Sequence, residues 1–136
     1  MKQKLNCVLL IDDDRATNFL NRWVIERLQC AEKIKTTQSA SQALEFLQKS
    51  EKGKYPQPDL ILLDINMPNM SGWDFIEEYK KLSIEQKGKI ILVMLTTSPN
   101  PDDLTRAESI PEINGYERKP LTVKSLEALL KKYFWE

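Results

Sequence analysis

Three short stretches of this chain are apolar at nearly every position: Cys7-Val8-Leu9-Leu10-Ile11, Leu60-Ile61-Leu62-Leu63 and Ile90-Ile91-Leu92-Val93-Met94-Leu95. Unbroken rather than alternating hydrophobicity predicts strands buried on both faces. Two weaker stretches, Lys33 to Thr37 and Gly115 to Arg118, are short and mixed in polarity, as edge strands tend to be. Apolar residues at helical spacing lie between them. Leu20, Trp23, Val24 and Leu28 form one stripe; Ala40, Ala43, Leu44 and Leu47 a second; Phe75, Ile76, Tyr79 and Leu82 a third; Leu126, Leu129, Leu130 and Phe134 the last. Ser39 with Gln42, and Ser71 with Asp74, match the capping box that starts a helix. A weaker helix is predicted from about Pro101 to Ile110, with Asp102 and Asp103 suited to its first turn.

Strand and helix therefore alternate as βαβαβαβαβα. That order implies an α/β fold: an open, doubly wound five-stranded parallel sheet with helices on both faces and right-handed crossovers. Glu51 to Pro58, with Gly53, Pro56 and Pro58, reads as a surface loop. No internal repeat or low-complexity tract interrupts the pattern, so residues 1–136 read as a single domain. The chain has 136 residues, enough for one core.

Charge narrows the function. Lys+Arg and Asp+Glu number 20 each, so no general basic field favours nucleic acid, although a local basic patch is compatible with the balance. There is no histidine, which removes Ser-His and Cys-His catalysis and any role as a phosphohistidine donor. With no CxxC either, a zinc site is disfavoured. Cys7 opens an apolar run and reads as a small buried hydrophobe. A domain of this size needs no disulfide, which fits a reducing cytoplasm. Met1-Lys2-Gln3-Lys4 is followed by too short an apolar run for a signal peptide, and no stretch approaches a membrane span.

The chemistry gathers where the core strands end. The first apolar run meets Asp12-Asp13-Asp14, the second meets Asp64, and the third meets Thr96-Thr97-Ser98. In a parallel sheet these ends share one edge, where open α/β proteins bind ligands. Converging carboxylates repel unless a cation intervenes. A hard cation such as Mg²⁺, held by oxygen ligands, suits such a site and suits phosphoryl chemistry. An aspartate there can act as a covalent nucleophile. The fifth strand ends in Lys119-Pro120, which brings a positive charge to the same edge, able to pair with Asp64. The sharp turn makes Pro120 a candidate for a cis peptide bond. Taken singly, Asp12 and Asp13 read equally well as turn or cap residues, Asp64 reads better that way, and Asp14 reads as a cap or as simply exposed.

Together, Leu9-Leu10-Ile11-Asp12-Asp13-Asp14, Leu62-Leu63-Asp64-Ile65-Asn66-Met67-Pro68, Ser71-Gly72, Leu95-Thr96, and Gly115-Tyr116 followed by Lys119-Pro120 resemble the receiver domain of bacterial two-component response regulators. The chemotaxis response regulator is that family's simplest example, and the resemblance covers essentially the whole chain. It implies the flavodoxin-like strand order 2-1-3-4-5. It implies that Asp64 accepts a phosphoryl group from a phosphohistidine on a sensor histidine kinase or histidine phosphotransfer protein. Asp13 resembles the direct Mg²⁺ ligand, joined by Asp64 and the backbone carbonyl of Asn66, and Asp12 the acid that reaches the metal through water. Thr96 and Lys119 resemble the groups that contact the phosphoryl oxygens, and Tyr116 the switch aromatic that turns inward.

The protein is then a phosphorelay switch rather than an enzyme with a separate substrate, though it would catalyse its own phosphorylation and slow dephosphorylation. Because the last helix runs nearly to Glu136, a stand-alone receiver is expected. Its output would pass through a downstream protein target, with no direct nucleic-acid contact and no membrane insertion. A phosphorylation-linked homodimer is compatible with the family. The chain departs from the family at Thr97, where a smaller residue is commoner, and in its polar Glu117-Arg118. Ser98 stands at a place where the family varies its side chain to tune hydrolysis.

Rival readings are weaker. A haloacid-dehalogenase-like phosphatase would place a second carboxylate two residues after the nucleophile, and that residue is Asn66. A flavin or dinucleotide carrier would need a Gly-rich loop after the first strand. A phosphorylation-independent interaction module with a relic site sits poorly with the intact Asp12, Asp13, Asp64, Thr96 and Lys119 set.

Overall fold

The structure, a computed structural model, describes residues 4–97 and 100–135; Ser98 and Glu136, singled out above, and the residues before Lys4 lie outside them. The elements run β1 (Leu5–Ile11), α1 (Arg15–Leu28), β2 (Ala31–Thr37), α2 (Ala40–Gln48), β3 (Leu60–Asp64), α3 (Gly72–Tyr79), α4 (Ile84–Lys87), β4 (Ile91–Thr96), α5 (Pro101–Glu108), β5 (Gly115–Arg118) and α6 (Val123–Tyr133). All strand pairs are parallel, in the order β2-β1-β3-β4-β5. The three unbroken apolar runs are the three central strands, and the mixed-polarity pair forms the edges.

Successive side chains of a strand point to opposite faces, so each central strand feeds two cores. Leu9, Ile11, Ile61, Leu63, Leu92 and Met94 pack with α2, α3 and Ala107 of α5. Val8, Leu10, Leu60, Leu62, Val93 and Leu95 pack with Val24 and Ile25 of α1 and with Leu126, Leu129 and Leu130 of α6. Cys7 and Cys30 are buried free thiols, and Trp135 is half-buried against the second cluster. No described helix is long and apolar enough to cross a membrane.

The stripes on α2, α3 and α6 point inward, apart from Leu82 and Phe134, which lie past the ends of α3 and α6 and pack partly buried. Helix α1 differs from expectation. Its buried residues are Asn18, Asn21, Val24 and Ile25, whereas Leu20 and Trp23, two of the predicted stripe, are 58% and 51% exposed. The helix is rolled so that two asparagines face inward. A further one-turn helix, α4, was not expected; Ser83 and Gln86 close a full capping box around it.

Truncating Leu62, which is 1% exposed, to Ala should cost about 2–5 kcal/mol of unfolding free energy in urea titration. Leu20→Ala on the outward face of α1 should change it by less than about 0.5 kcal/mol.

Candidate functional site

Parallel register brings the strand ends level. Ile11 pairs with Leu63, Asp64 with Leu95, and Thr96 with Arg118. The residues at or just beyond these ends therefore meet at one edge: Asp12, Asp13, Asp64, Thr96 and Lys119. Asp12 and Asp64 are 3% and 5% exposed, while Asp13 is exposed at the mouth. Carboxylate oxygens of all three lie within 4.8 Å of one another.

Lys119 closes the cluster. Its Nζ donates to Asp12 Oδ2 at 2.7 Å and lies 3.1 Å from Asp64 Oδ1. Sequence pointed to Asp64 as its partner; the tighter contact is with Asp12. The lysine backbone is fixed as well, since its N–H donates to the Thr96 carbonyl at 2.7 Å. The Lys119–Pro120 peptide bond is cis. Burial pushes the Asp64 carboxyl up to about 6, and the neighbouring Asp12 charge adds to that; Lys119 and the Asn66 N–H pull the other way. On Lys119 burial acts downward, but its bonds to Asp12 and Asp64 outweigh it and hold the ammonium above the ordinary lysine range.

Local sequence explains the placement of each group. Asp14 caps α1, its carboxylate accepting from Ala16 N–H and Thr17 Oγ1; these bonds hold its pKa down. Asp14 is thus occupied with the helix, while Asp12 and Asp13 face the crevice. Behind Asp64 the chain turns sharply: the Asn66 N–H donates to Asp64 Oδ1 at 3.3 Å, and the Gly72 N–H to the Ile65 carbonyl at 2.8 Å. A Cβ on Gly72 would lie 2.7 Å from the Asp64 carbonyl oxygen and 2.8 Å from Ile65 Cα. Only glycine lets α3 begin this close to the strand end, which gives the Ser71-Gly72 pair its structural reason.

Thr96 is buried at the end of β4, and Thr97 beside it is exposed. Tyr116 on β5 is half-buried against the core, its hydroxyl enclosed without a hydrogen-bond partner. Sequence reasoning missed two further polar residues at this edge. Asn18 Nδ2 donates to the carbonyls of Asp12 and Thr37, at 2.9 and 3.1 Å, and Thr37 Oγ1 donates to the Leu10 carbonyl at 2.9 Å. Their only sequence signal is a polar residue where a helix or strand turns inward.

The donor set suits a hard divalent cation. It consists of carboxylate oxygens, with the Asn66 carbonyl in the adjoining loop, and offers no soft ligand. One ammonium stands against three carboxylates, so the cluster keeps an excess of negative charge that a cation would offset.

A family model described as the response regulator receiver domain matches residues 8–131. Among solved structures, a two-component response regulator from Cytophaga hutchinsonii superposes with a TM-score of 0.83 at 35% identity, covering 98% of this chain and 100% of that one. A response regulator receiver protein from Dyadobacter fermentans gives 0.82 at 27% identity, covering 96% of this chain and 98% of the other. The probable methanogenesis regulatory protein FilR2 of Methanothrix harundinacea is 32% identical over 130 residues, 94% of this chain and 82% of its own length. Response regulator Rcp1 of Synechocystis is 31% identical over 133 residues, 94% of this chain and 87% of its own.

The raised Asp64 pKa sets a pH dependence. Between the ordinary carboxyl value of 3.8 and about 6, the folded state binds the proton that the unfolded state has released. Stability therefore falls as pH rises through that window. In EDTA, calorimetry should show Asp64→Asn melting about 5 °C above the parent protein at pH 8. The difference should shrink toward pH 4, where the native carboxyl is itself neutral.

Proposed function

This chain belongs to the response regulator receiver family, and from that membership we propose that it is a phosphorelay switch with Asp64 as the phosphoryl acceptor. The observation that carries the reading is the placement of Asp64. Its carboxylate is buried at the end of a core strand, 3.1 Å from a lysine ammonium and grouped with two further carboxylates. Donor proteins would be a sensor histidine kinase or histidine phosphotransfer protein, met in the cytoplasm.

Asp13, Asp64 and the Asn66 carbonyl would hold Mg²⁺ directly, with Asp12 reaching it through water; bound there, the ion neutralises charge on the transferring phosphoryl group. The chain's own groups do the rest. An Asp64 carboxylate oxygen attacks phosphorus in line. A P–O bond forms as the P–N bond to the donor imidazolium breaks, and its electron pair leaves with the ring nitrogen as neutral imidazole. Lys119 is already held 3.1 Å from an Asp64 carboxylate oxygen, so it would contact the phosphoryl group without a large search. The closed edge around Asp64 limits water and strengthens that contact.

The product is a switch because a phosphoryl group adds about two negative charges and three acceptor oxygens at one buried point. Lys119 and the Thr96 hydroxyl bond those oxygens in the phosphorylated state only, and that difference shifts a two-state equilibrium. Tyr116 lies on β5 paired with Met94, two residues before Thr96 on β4, and as the switch aromatic its ring would follow movement of Thr96. The readout surface is formed by α5, β5 and α6, and the output is a contact with a protein target.

Acetyl phosphate with Mg²⁺ should add a single phosphoryl group to the intact protein, acid-stable and base-labile in mass spectrometry. Asp64→Asn should gain none, and EDTA should abolish the gain in the parent chain. Modification that persists in Asp64→Asn would overturn the acceptor assignment. Multiple turnover of small phosphomonoesters would point to a phosphatase instead.

A further inference from the structure

Asp12 is held from every side. Its N–H donates to the Thr37 carbonyl at 3.1 Å. Its carboxylate accepts from the Asp14 N–H at 2.9 Å and from Lys119 Nζ. Its carbonyl accepts from Asn18 Nδ2, and the same nitrogen reaches the Thr37 carbonyl. One side-chain amide on α1 thus ties the last carbonyl of β2 to the carbonyl of Asp12, the first residue past β1.

The clamp is costly to the fold. Asn18 is 4% exposed, and its Oδ1 is enclosed without a hydrogen-bond partner. An apolar residue of similar volume would spare that desolvation, since an unmet buried acceptor destabilises. Two donors on one nitrogen, aimed at two carbonyls, are what leucine cannot supply. The Thr37 carbonyl would still have the Asp12 N–H. The Asp12 carbonyl would lose its partner and turn toward water, taking the neighbouring Asp13 with it.

We infer that Asn18 is a positioning residue for the acidic cluster: its amide fixes the β1–α1 turn so that Asp12 and Asp13 converge on Asp64, at the expense of stability. The inference rests on the reading of that cluster as a divalent-cation site. Groups that orient ligands without touching the ion commonly change affinity by about 10–100-fold when removed.

The test measures Mg²⁺ affinity separately from stability. Thermal unfolding across a MgCl₂ titration gives both, because a ligand of the native state raises Tm with its own concentration dependence. Asn18→Leu should melt in EDTA at or above the parent temperature, yet bind Mg²⁺ about tenfold more weakly. Ile25→Val, buried on the same helix away from the strand ends, should melt lower with Mg²⁺ affinity unchanged. Should Asn18→Leu not fold, Asn18→Ser carries the same comparison, with the same expected loss of Mg²⁺ affinity. An Mg²⁺ affinity within twofold of the parent in the Asn18 variant overturns the inference. So does a loss that merely tracks melting temperature across all variants. A parent protein whose Tm ignores Mg²⁺ fails earlier, at the cation site itself, and takes the inference with it.

Discussion

The bond between Lys119 and two buried carboxylates is the constraint on which the site depends. Asp12 and Asp64 are almost fully enclosed, and burial of like charges drives one of them to hold a proton. A single ammonium, 2.7 Å from one and 3.1 Å from the other, is what makes their approach tolerable. It arrives there through backbone register: Thr96 pairs with Arg118, and the next residue bonds back to the Thr96 carbonyl. A shift of β5 by one residue would send the lysine to the other face and leave the carboxylates uncompensated.

The parallel sheet makes such a site possible by sorting the chain along the strand direction. Lower down, each central strand supplies side chains to both cores, and nearly every one is apolar. At the carboxyl edge the sheet ends in Asp12, Thr37, Asp64 and Thr96, which are among the few buried polar residues described. Stability and chemistry are thereby separated by a few residues of strand. The separation is incomplete at Gly72 and Asn18, where the site reaches back into the packing. The first must lack a Cβ for α3 to approach, and the second is a buried amide that bonds two carbonyls while its Oδ1 has no hydrogen-bond partner.

Strand and helix order, sheet class and the acidic edge were legible because each rests on a strong local rule. A strand buried on both faces has to be apolar throughout, and its end has to turn polar where it meets solvent or a ligand. The roll of α1 was not legible. Counting apolar residues selects Leu20, Trp23, Val24 and Leu28, whereas the buried arc is Asn18, Asn21, Val24 and Ile25. Periodicity weighs an asparagine as polar and cannot see that two carbonyls await its amide. The same limit hid the Lys119–Asp12 contact, which joins residues 107 apart in the chain. Helix α4 escaped because a single turn has no period to detect, although its Ser83–Gln86 cap follows the usual spacing.

Burial of Asp64 is more than a by-product of packing if, as proposed, it accepts a phosphoryl group. Turning a two-state surface from about 1:99 to 99:1 takes about 5.5 kcal/mol of differential interaction. An exposed ion pair contributes about 0–1 kcal/mol, so a phosphoryl group on an open aspartate would move such an equilibrium only slightly. At Asp64 the same charge would meet Lys119 in an enclosed edge, where screening is weak and each contact counts for more. The burial that raises the cost of the carboxylates in the metal-free fold is thus the same feature that would let one added group, contacted by Lys119, be felt beyond the site.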